Sequence, residues 1–236
     1  MPALKSIDAA ARAAAAALTD AELAASAVAG SVLSFETLVR RHNRLLFRTA
    51  RGVVPDDAEA QDVVQETWLR AFVKLDTYRG EAALGTWLAR MAINIAISSQ
   101  RRKGRHVPLQ DNDPAEGAME MFNPSASEGP DATAERMEMR VLLQASIEAL
   151  PAIYRSVFIL RAVEDMSVQE AAFCLSVHED VVKTRFLRAR AMLREELATR
   201  VETNAHDTFA FAGARCDAVV AHVMAGLMRQ GLLQQP

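Results

Sequence analysis

From Phe35 onward apolar residues recur at helical spacing. Phe35, Leu38, Val39, Leu45, Leu46 and Ala50 form one stripe, with Arg40, Arg41, Arg44, Arg48 and Arg51 between them. The pattern predicts an amphipathic helix that stops between Gly52 and Pro55. A second stripe follows at Ala60, Val63, Val64, Thr67, Trp68, Ala71, Phe72 and Leu75, acidic in its first turns and basic at its end, as the helix dipole favours. A third helix is predicted to open at Thr86, apolar at Trp87, Leu88, Met91, Ala92, Ile95 and Ala96 and strongly basic from Arg101. Ahead of these, Thr19 with Glu22 three places on is a capping-box pair for a short helix from Asp20. The alanine run "IDAAARAAAAA" before it also has helical propensity.

Between His106 and Arg136 the periodicity lapses. Pro108, Pro114, Pro124 and Pro130 stand among Asp, Glu, Asn, Ser and Gly, the composition of a mobile linker. Helical pattern returns with "AERMEMRVLLQASIEAL" and with "PAIYRSVFILRAVE", whose Pro151 suits a first helical turn. Ser167 with Glu170 then caps a short helix ending near Leu175, "SVHE" makes a turn, and a longer helix begins about Glu179. That outline is a helix-turn-helix, with Ser176 at a turn position often given to glycine. In its second helix Val182, Phe186, Ala189 and Leu193 share a face, which predicts that Lys183, Thr184, Arg185, Arg188, Arg190 and Arg194 point outward. The result is a cationic helix of a width that the DNA major groove admits. Basic residues late in a helix also satisfy its dipole without any ligand.

With no strand-like alternation, the fold class is all-α: two small helical domains joined by an acidic flexible linker. The predicted boundaries are an N-terminal extension 1–34, a first domain 35–106, the linker 107–136, a second domain 137–200 and a C-terminal extension 201–236. Charge supports this division. Residues 35–106 carry thirteen Lys/Arg against eight Asp/Glu, 107–149 two against nine, and 150–200 eight against seven, within a net charge of −3. Basic blocks flanking an acidic one point to a polyanionic partner.

Other chemistries find little support. Cys174 and Cys216 are too far apart for a disulfide framework and fit a reducing, cytoplasmic compartment; no apolar run is long enough for membrane insertion. Cys174, between Phe173 and Leu175, reads as a small buried hydrophobe. His206, Cys216 and His222 lack the tight paired spacing of a metal site, so no metal and no cofactor is expected. There is no phosphate-cradling glycine loop or Ser/His/Asp set, so an enzyme is not expected either. In the tail, Val219, Val220, Val223, Met224 and Leu227 form a stripe that could pack on the second domain or bind a partner.

"DAEAQDVVQETWLRAF", "TWLARMAINIA" and "VKTRFLRARAMLRE" together resemble the extracytoplasmic-function group of bacterial sigma factors. Residues 35–106 look like the family's domain two and 149–197 like its domain four. The resemblance implies a non-enzymatic subunit that directs core RNA polymerase to promoters. On the first motif, Asp62, Gln65, Glu66 and Arg70 would dock on the clamp helices of the largest polymerase subunit. On the second, Asn94 would read a base of the melted minus-ten strand; Ser98 stands where relatives commonly carry an acidic or amide side chain. Arg101, Arg102, Lys103 and Arg105 would hold phosphates. On the third, Lys183, Arg185 and Arg188 would read the minus-thirty-five duplex, with His178, Glu179, Thr184 and Arg190 as further candidates. Trp68, Tyr78 and Trp87 could stack on exposed bases, although Trp68 and Trp87 lie on apolar stripes that favour core packing. An anti-sigma factor is a further partner that the family suggests.

A helix-turn-helix repressor or activator, acting without polymerase, is the alternative. It would account for Ser167 to Arg194 but leave the Asp62–Arg70 surface and Asn94 without a task.

Overall fold

The computed structural model describes residues 9–105, Leu109, 132–208, Ala218 and 221–224. In chain order its helices are α1 (Ala9–Ala17), α2 (Asp20–Val28), α3 (Val32–Arg51), α4 (Asp57–Lys74), α5 (Leu84–Arg102), α6 (Ala132–Ala149), α7 (Ala152–Phe158), α8 (Val168–Leu175) and α9 (Glu179–Thr208). A 3-10 turn follows α4 at Leu75–Thr77, and α7 runs into a π-helical turn at Ile159–Val163. No strand occurs among the described residues. The linker core, the residues around Cys216, and Val219, Val220 and Leu227 lie outside them.

The local signals act as expected. Thr19 and Glu22 close a full capping box on α2, the Thr19 amide donating to Glu22 at 2.8 Å and the Glu22 amide to Thr19 at 3.3 Å. Asp56 caps α4 through the Glu59 amide. Two helices start earlier than the pattern suggested, α3 at Val32 and α5 at Leu84.

Helices α2 to α5 pack into a bundle, with α1 against α3. Leu23, Leu38, Leu46, Val63, Leu84, Leu88 and Ile93 are buried in it. Trp68 belongs to this core: it is buried, its ring meets Phe35 edge-on at 5.7 Å, and its indole N–H donates to Asn43 Oδ1 at 2.7 Å. Trp68→Phe, which keeps most of the volume and deletes that donor, is expected to cost about 1–2 kcal/mol in urea unfolding, with Asn43→Ala nearly additive-free on top of it. Phe72 departs from the predicted stripe. It is 58% exposed, because it lies on the flank of α4, where it leans edge-on against Phe35 at 4.9 Å.

Asp20 anchors the N-terminal helices to this bundle. Its carboxylate meets Arg41 Nη1 at 2.5 Å and His42 Nε2 at 2.9 Å, while Arg41 also donates to the Ala16 and Leu18 carbonyls at the end of α1. Residues 9–34 of the N-terminal extension are thus built into the first bundle.

The residues up to Leu193 form one compact unit, and Arg194–Pro236 a second. Within the first, the later helices pack directly on the bundle. Helix α8 lies on α5, and the π-helical turn touches α3. Thr86 donates to Glu170 at 3.2 Å, Arg48 pairs with Glu164 at 3.1 Å, and Arg51 with Glu148 at 2.5 Å. Arg90 stacks over the Phe173 ring at 4.2 Å. At Gly52 the approach is close enough that a Cβ would come within 3.1 Å of Ser156 Cα, which favours glycine there. In the second unit Val223 and Met224 are 49% and 40% exposed.

Candidate nucleic-acid and polymerase interface

Asp62, Gln65 and Arg70 stand exposed on α4 and Glu66 is half-buried, all on the side away from buried Val63, Thr67 and Ala71. Arg70 Nε pairs with Glu66 at 2.6 Å. The four residues assigned to polymerase docking therefore share one accessible helix face. Glu59, one turn earlier, is not exposed in the same way. It holds Lys103 at 2.7 Å and Arg105 at 3.3 Å and accepts from Gln100, tying the start of α4 to the end of α5. The hydrogen bond from Lys103 holds the Glu59 carboxyl below its usual range.

On α5, Asn94 and Ser98 are exposed one turn apart. The Ser98 hydroxyl donates to the Asn94 carbonyl at 2.7 Å, so it satisfies its own helix while the Asn94 amide points outward. Arg101 and Arg102 continue this face, exposed, whereas Lys103 and Arg105 are partly neutralised by Glu59. Tyr78 and Trp87 are half-buried, their rings 5.5 Å apart, and they border a hollow with Arg79 and Phe173. Burial raises the Tyr78 phenol above its usual value. Phe173 of α8 lines the rim of this hollow beside α5.

The helix-turn-helix is formed by α8 and α9. Ser167 and Glu170 make a complete capping box, and their hydrogen bonds hold the Glu170 carboxyl below its usual range. Ser176 ends α8 in the left-handed region at φ 55°, so the turn takes the glycine-like conformation with a serine. Val182, Ala189 and Leu193 are buried, with Phe186 half-buried, as the stripe requires. His178, Glu179 and Lys183 are exposed at the start of α9, and Lys183 is bound to Asp180 at 2.9 Å. Thr184 donates back to the Asp180 carbonyl, Arg190 lies 5.9 Å from the Phe186 ring, and Arg188 reaches the Tyr154 hydroxyl at 3.4 Å.

Arg185 is a correction. Expected on the outward surface, it is 1% exposed and donates to the backbone carbonyl of Leu109, itself 1% exposed. Arg185 sits one turn from Val182 on the edge of the buried stripe, and a carbonyl from the start of the linker gives the guanidinium a partner inside. Sequence reasoning also passed over Thr86, Arg90 and Phe173, whose partners are remote in the chain.

At the centre of the α5–α8 contact lies Cys174, 1% exposed, its Sγ 3.4 Å from the Thr86 carbonyl. Burial pushes its thiol up to about 12. Its position makes it a chemical reporter of that contact rather than a reactive centre.

The comparisons agree with this geometry. Residues 38–106 match the family Sigma-70 region 2, and residues 140–193 match Sigma-70, region 4. The ECF RNA polymerase sigma factor SigM of Mycobacterium tuberculosis is 33% identical over 177 residues, covering 74% of this chain and 83% of its own. Among solved structures, CnrH in complex with the cytosolic domain of CnrY has a TM-score of 0.52 at 28% identity over 76% of this chain and 97% of its own. The sigma factor RpoE in complex with the anti-sigma factor NepR from Bartonella quintana also has a TM-score of 0.52, at 24% identity over 71% and 98%, which bears on the fold. The chain belongs to the ECF family of RNA polymerase sigma factors.

Proposed function

We propose that the protein joins core RNA polymerase in the cytoplasm as a promoter-recognition subunit and does no bond chemistry itself. The exposed α4 face of Asp62, Gln65, Glu66 and Arg70 would dock on the clamp helices of the largest subunit. The amide of Asn94, with Ser98 beside it, would read one base of the melted minus-ten strand while Arg101, Arg102, Lys103 and Arg105 hold its phosphates. The start of α9, through Lys183, Thr184, His178 and Glu179, would enter the minus-thirty-five major groove, with Arg188 and Arg190 at its flank. The observation that carries this reading over a polymerase-independent repressor is the outward amide of Asn94 on a basic helix, sharing a bundle with an acidic helix face that a repressor would not use. An anti-sigma factor, the partner named for the Bartonella relative, would act by keeping these surfaces from polymerase.

This reading requires the chain to open. The two promoter elements lie roughly 25 base pairs apart, about 85 Å at 3.4 Å per base pair. Helix α5, with 19 residues, is about 28 Å long and is in contact with α8. Both elements can be gripped at once after α8 has left α5.

Asn94→Ala is expected to leave core-polymerase affinity within twofold and to reduce open-complex formation about tenfold, as for loss of one base-reading amide. Permanganate footprinting of a promoter found by start-site mapping reads this out. Unaltered footprints would remove Asn94 from the minus-ten pocket, and failure of the wild type to give any specific transcript with core polymerase would favour the repressor.

A further inference from the structure

Below the acidic residues of α4, the same helix side turns apolar. At the helical repeat, Leu69 and Val73 follow Asp62 and Glu66 along one face, and they are 67% and 77% exposed. Phe72 flanks them and leans on Phe35 of α3. One turn before Phe35 stands Val32, 67% exposed, and Val28 at the end of α2 lines a shallow hollow with Leu75 and Asp76. Five large apolar side chains on α4 and on the helices that pack against its end thus meet water, more than scattered surface residues require. Val28 and Val32 precede the segment that matches the sigma family, residues 38–106, yet α3 packs on α4 and α2 packs on α3 and on the 3-10 turn that follows α4.

We propose that Val28 and Val32 extend the polymerase-docking face, so that the N-terminal helices of this chain form part of the holoenzyme interface. The inference rests on the assignment of α4 as the docking helix. The occupant is the polymerase clamp, presenting basic groups to Asp62 and Glu66 and an apolar row to Leu69, Val73, Phe72 and Val32. Continuity decides for this occupant: one face of α4 carries both the charged and the apolar parts, and Phe72 joins that face to α3 through Phe35, one turn from Val32. An apolar centre with a charged border is also the usual make-up of a protein interface.

The helix positions supply variants that spare the fold. Val32 is the first residue of α3 and Val28 the last of α2, so Asp at the former and Lys at the latter each favour the helix dipole, and together they leave the net charge unchanged. Val28→Lys with Val32→Asp is expected to weaken binding to purified core polymerase about tenfold, as for two apolar side chains left outside an interface, while Val32→Leu stays within twofold. Circular dichroism melting should match the wild type. Unchanged core affinity in the double variant, alongside a large loss in a parallel Asp62→Lys, Glu66→Lys protein, would overturn the extension alone. Unchanged affinity in both would remove α4 as the docking helix. Sedimentation equilibrium adds a third arm: a wild-type dimer that the double variant abolishes, with core affinity intact, would make the patch a self-association surface and overturn the proposal.

Discussion

Replacing Asp62 and Glu66 together by lysine is expected to lower affinity for core RNA polymerase about a hundredfold, or about 2.7 kcal/mol. The size follows from turning an attractive pair of contacts into a repulsive one, since like charges brought together at an interface cost several kcal/mol. Little of that loss should come from unfolding. Asp62 is exposed, and the Glu66–Arg70 pair is an exposed i,i+4 contact worth a few tenths of a kcal/mol. The melting midpoint should therefore move by no more than about 3 °C. Competition for fluorescent core polymerase measures the effect, and its dependence on salt separates it from a packing defect: the wild type should lose affinity as salt rises, the variant much less. An affinity within threefold of wild type would show that the acidic face of α4 does not meet the polymerase.

The parts of this molecule that were legible in the sequence are those decided within a turn or two of the chain. Thr19 with Glu22 and Ser167 with Glu170 are three residues apart, and both boxes close as written. The Val182, Ala189 and Leu193 stripe is a matter of helical period alone, and it is buried. Arg185 shows where that reasoning ends. On the helical wheel it falls at the margin of the stripe, and what settles its direction is the Leu109 carbonyl 76 residues earlier. Phe72 falls at the opposite kind of margin, where its ring can lean on Phe35 and still meet water. The packing of α8 on α5 left no local trace either. Thr86 reads only as the predicted start of a helix, yet its hydroxyl donates to Glu170, 84 positions on. Arg90, to which the pattern gives no role, lies over Phe173. Exposed faces of a single helix, such as Asp62 to Arg70 or Asn94 with Ser98, were accessible to periodicity. A contact between two regions joined by an aperiodic linker was not.

That contact gives the second large effect. Arg48→Glu with Arg90→Glu is expected to separate α8 from the first bundle and to tighten assembly with core polymerase about tenfold. The first change sets a carboxylate against Glu164, and the second replaces the cation over Phe173 with an anion facing the ring. Each lost attraction is modest, about 0.5–1 kcal/mol, and each new repulsion is similar, so the sum is on the order of 2 kcal/mol against the closed form. A partner that binds the open form sees its apparent affinity reduced by the fraction of chains that are open, and weakening the closed form returns that factor. Cys174 reports the opening directly. In a Cys216→Ser background its thiol, held near 12 by burial, should react slowly with a maleimide at neutral pH and at least tenfold faster in the double variant or after core polymerase is added. Small-angle scattering should show the radius of gyration rising by several ångströms, as expected when a compact body becomes two joined by a linker. If the thiol stays equally slow after core polymerase is added, the α5–α8 contact persists in the working complex, and one protein could not span both promoter elements in the way proposed.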